Sequence, residues 1–235
     1  MQKYHNLFSE EEWYEMISTS KEATHIRLFE HSGILNHGIC QHINFTGKFQ
    51  MPVVKPLICE IPTKIIAYYR TTTGKYTDGV PHFYTNEKNY EWIWNQPYKI
   101  INDIPDRKKR VIGPDFSVYA ELVFPQKIWN IFRNKLLTAW WQYNGIDVIP
   151  NISWINEDYN CSFEGWPQNS IIAVNSTGVG RNERCRKMWI KGYAEMIERL
   201  QPRHIIRYGV KLPGEHEAIS TYFTNDNKIM ANHGW

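Results

Sequence analysis

Residues 111–119, VIGPDFSVY, run as a short apolar stretch into Gly113, Pro114 and Asp115. A carboxylate delivered at the end of a buried strand can act as a catalytic acid or base, a metal contact or a hydrogen-bond anchor. The same three residues can equally form an Asx-turn or a cap after Pro114. A second stretch with chemical potential is NSTGVGRN, residues 175–182, which follows the apolar run SIIAV and precedes a helical pattern. Its glycines, hydroxyls and Arg181 suit a cradle for a phosphate or carboxylate at a helix N-terminus. It lacks the glycine-lysine-serine ending of a P-loop, and an ordinary glycine-rich turn is the alternative.

Other residue sets carry less chemistry. His31, His37, Cys40 and His42 lie close together, with Cys59 further on, but their spacing matches no closed zinc motif, so no metal site is expected. The four cysteines contain no C-x-x-C pair. No G-x-S-x-G elbow is present to build a serine triad. Arg133 and Asn134 sit mid-helix among apolar neighbours and are expected on a solvated edge.

The elements that must position these residues can be read from periodicity. Residues 64–70, 80–85, 111–116, 146–154, 170–176 and 204–209 read as strands, rich in β-branched and aromatic residues. SEEEWYEMI opens a short helix over 9–18, with Ser9 at the N-cap. A helix is expected from Asn86, broken near Pro97. DRKKR, 106–110, reads as a solvated charge run. Residues 125–145 form a helix with Ile128, Phe132, Leu136, Trp140 and Tyr143 at helical spacing, ended by Gly145. Adjacent positions point about 100° apart, so Trp140 or Trp141, but not both, is expected in the core. Residues 183–202 form a second amphipathic helix, with Trp189, Tyr193, Met196, Ile197 and Leu200 on one face and Pro202 at its end.

Strand, helix and strand at this rhythm imply an α/β fold, a mainly parallel sheet of about six strands built from βαβ units. It closes into a TIM-barrel-like shape or stays open as an incomplete barrel. The reading is one domain over 1–235, with a loop-rich N-terminal segment 1–60 and a C-terminal extension 210–235 containing an edge hairpin near Asn225. Ligands of such sheets bind beyond the carboxyl ends of the strands. The candidates are therefore Asp115 as the catalytic group, with Ser117, Asn151, Ser153, Trp154, Asn175, Ser176, Thr177, Gly178, Gly180, Arg181, Tyr208 and Gly209 as binding residues. Asp115, Asn151 and Asn175 are expected to point into one cleft.

Composition narrows the classes. Hydrophobic residues make up 42% and charged residues 22%, so a packed core is expected. The net charge of +3 is too weak to demand a nucleic-acid partner. The start is polar and acidic without an apolar signal core, and no run approaches the ~20 apolar residues of a membrane span. A cytoplasmic protein without a membrane partner is expected. Ten Trp and fourteen Tyr can fill a core or stack on bases.

The block GPDFSVY, IWNIFRNKLLTAWWQYNGIDVIPNISW, SIIAVNSTGVG and GYAEMIERLQPRHIIRYG resembles a family of uncharacterised domains found in bacteria, phages and mobile elements. The resemblance covers roughly residues 60–210. It rests on PDFS, the W, RN and WWQ helix, VIPNISW and the glycine turn after SIIAV. It supplies context and no catalytic residue. The leading expectation is a nucleotide- or phosphate-handling enzyme with a small anionic or nucleotide ligand. The rivals are a single-stranded nucleic-acid binder and an interaction protein that modulates a host factor. No cofactor is specified by the sequence.

Overall fold

The computed structural model describes residues 35–71, 79–103, 110–179 and 182–224. The chain divides into two compact units, Met1–His42 and Ile43–Trp235. The described part of the first contains one turn of helix, α1 (His37–Cys40). The expected helix over 9–18, His31 and the turn near Asn225 lie outside the described residues.

The second unit begins with a small antiparallel hairpin, β1 (Phe45–Thr46) and β2 (Met51–Pro52). Next come β3 (Ile65–Ala67), α2 (Tyr68–Thr71) and β4 (Val80–His82). A 3-10 turn over Glu87–Asn89 follows, then α3 (Trp92–Asn95), α4 (Pro97–Asp103) and β5 (Arg110–Ile112). After these lie α5 (Phe124–Tyr143), β6 (Asp147–Ile149), α6 (Tyr159–Phe163), β7 (Ile171–Asn175), α7 (Glu183–Leu200), β8 (His204–Tyr208) and β9 (Ser220–Phe223).

From β3 onward every strand pairing is parallel: β3 with β4, β5 with β6, and β7 with β8 and β9. A parallel bridge between Asn151 and Ala173 continues β6 onto β7, with Ile152 N–H donating to Ala173 O and Ala173 N–H donating to Pro150 O. The α/β reading with parallel strands therefore holds. No barrel closes among the described residues, where β3 and β9 are not paired with each other.

The tail strand Ser220–Phe223 pairs parallel with β8. Two local expectations change. The strand expected over 64–70 ends at Ala67, and Tyr68–Thr71 coil into α2. The helix expected from Asn86 is three short pieces. Asn86 caps the 3-10 turn by accepting Lys88 N–H, and Pro97 opens α4, where a missing N–H is harmless.

Alternation along the strands sets two faces. Ile171, Ala173, Ile206 and Tyr208 share one cluster with Ile65, Val80, Ile112 and Ile149. Leu57, Cys59 and Ile61 pack against this inner cluster. Ile172, Val174 and Ile205 face the other way, onto Trp189, Tyr193, Met196 and Leu200 of α7. Burial on both faces is why these strands read as continuous apolar runs. Each large aliphatic side chain buried here contributes about 1.5–3 kcal/mol. The contact with α7 is close at Gly192, where an added Cβ would lie 2.0 Å from Trp154 Nε1.

Helix α5 departs from a one-sided pattern. Twelve of its residues are buried, and Trp140 and Trp141 are both among them. The helix is covered by β2, β6 and α6 together, and Trp141 also donates its indole N–H to Pro97 O. Arg133 and Asn134 are buried rather than on a solvated edge, and Tyr143 is exposed. Arg110, expected in a solvated charge run, is a buried residue of β5. No helix among the described residues is long and apolar enough to cross a membrane.

Candidate functional site

The inner-face alternation brings His82 at the end of β4, Tyr84 two residues on, Asn151 after β6, Asn175 at the end of β7 and Tyr208 at the end of β8 to one region. Asp115 joins them out of phase with inner-facing Ile112, because the chain leaves the strand at Gly113 and Pro114. Asp115 is the centre of this region. Its Oδ1 accepts from Asn151 Nδ2 at 2.9 Å, and its Oδ2 accepts from Asn175 Nδ2 at 2.9 Å. Asn151 is fully used: its nitrogen also donates to Pro114 O, and its oxygen accepts the Tyr84 hydroxyl at 2.9 Å. Three successive parallel strands thus end on one carboxylate.

Burial pushes the Asp115 carboxyl above the usual carboxylate range. The Asn151 and Asn175 amides pull it down, and the charge of Glu87 pushes it up. Glu87 lies on the 3-10 turn after β4, and its carboxylate accepts the Ser117 N–H. A carboxyl whose proton affinity is raised by burial and tuned by neighbouring amides suits proton transfer.

Beside Asp115 stand three packed rings. Tyr84 and Tyr208 stack at 4.7 Å between centroids, and His82 lies 5.0 Å from Tyr84 and 4.9 Å from Tyr208. Burial, followed by the charge of Arg70, pulls the His82 imidazole down to about 3, so it is neutral at physiological pH. Its Nδ1 accepts the Tyr84 N–H at 3.1 Å, which assigns the proton to Nε2.

The loop that carries Asp115 is held by α5 and the turn after β4. Asn134 accepts the Phe116 N–H at 2.8 Å and donates to Phe116 O at 3.0 Å. Asn130 donates to Ser117 O, and Tyr90 donates its hydroxyl to Asp115 O. The Arg133 guanidinium lies 3.7 Å from the centre of the Phe116 ring, pairs with Glu91 and donates to Asn130 Oδ1. Gly113 is needed where the loop leaves β5, because a Cβ would sit 2.8 Å from Thr138 Oγ1.

The expected residues divide as follows. Ser117, Asn151, Asn175 and Tyr208 are grouped with Asp115. Ser153 Oγ accepts from Asn134 Nδ2 at 3.5 Å. Thr177 and Gly178 are exposed on the turn, where Thr177 N–H donates to Asn175 Oδ1 at 2.8 Å. Ser176 faces away and ties β7 to the chain after β8, donating to Val210 O at 2.7 Å. Trp154 is in the outer core against Trp189, 5.3 Å between ring centres, and apart from the cluster. Gly209 follows β8 and donates its N–H to Phe223 O. Gly180 and Arg181 lie outside the described residues. Sequence reasoning missed His82, Tyr84, Glu87, Tyr90, Asn130 and Asn134. Period-2 reading of VPHFYT alone places Val80, His82 and Tyr84 on one face, and that signal was available.

Among the described residues no group of three His, Cys, Asp or Glu side chains is placed to hold a metal ion. The buried arginines nearby are engaged: Arg207 pairs with Glu215 at 2.7 Å, and Arg133 pairs with Glu91.

Comparison with known proteins finds two phage relatives. The Gene 1 protein of Mycobacterium phage L5 is 31% identical over 135 residues, covering 56% of this chain and 57% of the relative. The Gene 1 protein of Mycobacterium phage D29 is 25% identical over 168 residues, covering 70% of this chain and 62% of the relative. The chain thus spans about three fifths of the length of these relatives. No solved structure matches it significantly. Residues 43–225 match the model of a domain of unknown function, and over that span the chain belongs to the DUF4417 family.

Proposed function

We propose that this domain is a nucleotide- or phosphate-handling enzyme of a phage or other mobile element, or of its bacterial host, acting in the cytoplasm. Its ligand site is at the carboxyl ends of the parallel strands. The observation that carries the reading is Asp115, a partly buried carboxylate held by amides from the ends of two neighbouring strands. Asp115 transfers the proton. The turn at 175–181, which leads into α7, would hold the anionic group of the ligand, since glycines, hydroxyls and an arginine before a helix suit an anion.

The strand order supports a curved, TIM-barrel-like frame. Strands β3 to β9 follow chain order, and His82 of β4 reaches Tyr208 of β8 across the inner face. In such frames the loops after the strands carry the chemistry. The phage relatives support the setting in a mobile element. The single-stranded nucleic-acid reading has less support, since Trp94, Trp140, Trp141, Trp154, Trp166 and Trp189 are all buried and cannot stack on bases.

The test is a panel of nucleotides and phosphate esters, assayed for turnover and for thermal stabilisation. Wild type is expected to turn over at least one class, and Asp115→Asn to lose that turnover while still folding. Undiminished turnover in Asp115→Asn, or no binding and no turnover across the panel, would overturn the reading.

A further inference from the structure

We infer that Asn134 and Tyr90 are positioning residues, which set the orientation of Asp115 through the backbone of the loop that carries it. The inference rests on the reading of Asp115 as the working group. It goes further in assigning a role to two residues that do not touch the carboxylate.

The argument begins with the peptide groups from Pro114 to Ser117. Pro114 O accepts from Asn151, and Asp115 O accepts from Tyr90. Phe116 N–H and C=O are both taken by the Asn134 amide, and Ser117 N–H and C=O are taken by Glu87 and Asn130. These side chains come from three places: the end of β6, the turn after β4, and α5. A loop after a strand ordinarily leaves such groups to water. Here four consecutive residues have side-chain partners, and Asp115 is one of them.

The geometry of Asn134 is specific. One planar amide meets both polar atoms of one residue, as a neighbouring strand would. This fixes the peptide plane on the C-terminal side of Asp115. Tyr90 fixes the carbonyl of Asp115 itself. Both therefore act on the one peptide that follows Asp115, while Asn151 holds the peptide before it through Pro114 O, and the side chain is aimed between the Asn151 and Asn175 amides without support from a ligand. Supporting residues of this kind hold a reacting group to within a fraction of an ångström. Asn134 is fully buried and the Tyr90 ring packs on Phe83 and Phe116. Their bonds therefore do not compete with solvent.

A purely structural role would also give this burial, so the test must read Asp115 and not only stability. The experiment follows the side-chain carboxyl carbon of Asp115 by NMR across pH in protein labelled with 13C-aspartate, assigned by its loss in Asp115→Asn. Wild type, Asn134→Ala and Tyr90→Phe are compared. Loosening the loop admits water to the carboxylate, so its midpoint is expected to fall by about half a pH unit or more in each variant. Tyr90→Phe keeps the ring and removes one donor, so it remains readable where Asn134→Ala fails to fold. A fall in melting temperature with the Asp115 midpoint unmoved in Tyr90→Phe would show a structural role only and overturn the inference. No substrate is needed. A silent phosphate-ester panel with a shifted midpoint would sink the enzyme reading and leave the positioning intact.

Discussion

Asn175 donates its amide N–H to Asp115 Oδ2 at 2.9 Å while its amide oxygen accepts the Thr177 N–H at 2.8 Å. One side chain therefore joins the carboxylate after β5 to the glycine turn after β7. A change in the turn's backbone alters the angle at which the amide meets Asp115. Trp189 secures the same residue from the other side, donating its indole N–H to Asn175 O at 3.1 Å.

Asp115→Asn is expected to leave the melting temperature within a few degrees and to change its pH dependence. The wild-type carboxyl has a folded pKa raised above its ordinary value of 3.8. The native state then binds more protons than the unfolded chain between 3.8 and that raised value, so stability falls as pH rises through the window. Below 3.8 both states are protonated and the loss is absent. The amide does not titrate, so the variant is expected to gain on wild type as pH rises from 4 towards neutrality. Melting curves at several pH values check this, and parallel curves for the two proteins would contradict it.

Lys135 gives a second pH signature. It is fully buried, donates to Cys161 O at 2.9 Å and Glu164 O at 2.6 Å, and burial pulls its ammonium down from 10.5 to about 7. Between those values the unfolded chain binds more protons than the native state. Stability therefore rises with pH across that window, by at most about 1.4 kcal/mol per pH unit. Lys135→Met removes the titration and is expected to flatten the rise. Urea unfolding from pH 7 to 10 measures it, and an unchanged slope in the variant would refute the assignment.

Both tryptophans of the Trp140–Trp141 pair are expected to matter. Truncating buried Trp141, which packs on Phe83 and bonds Pro97 O, should destabilise by about 3–5 kcal/mol. Trp140→Ala should lose less, because its neighbours Tyr98 and Tyr143 are exposed. Chemical denaturation ranks the two variants, and small, equal losses would contradict the packing of α5.

Single-stranded DNA is expected to bind weakly at physiological salt. A binder contacting several phosphates loses affinity with a log–log slope of about −0.7 per phosphate on single strands. With a net charge of +3 and six buried tryptophans, a slope worth one phosphate or less is expected. Tight, steeply salt-dependent binding that survives Asp115→Asn would install the nucleic-acid reading instead.

The parallel α/β class, the two long helices and the grouping of Asp115 with Asn151 and Asn175 were legible in the sequence, each for a local reason. Runs such as SIIAV and HIIRY carry apolar residues on both faces, which only a doubly covered strand requires. A residue that ends such a run must emerge at the carboxyl end of the sheet. What the sequence did not determine depends on contacts between distant segments. Arg133 and Asn134 look like surface residues on a helical wheel, yet they are buried because the loop 114–118 and Glu91 supply partners for their polar atoms. Trp154 ends the run read as a strand over 146–154 and looks like a ligand contact. Helix α7 crosses over it at Gly192, which turns it into core. Chain order placed the polar groups at one end of the sheet. Only the packing of α5 and of the turn after β4 against the Asp115 loop decided which side chains hold the carboxylate, because those hydrogen bonds join residues far apart in the chain and leave no periodic trace along it.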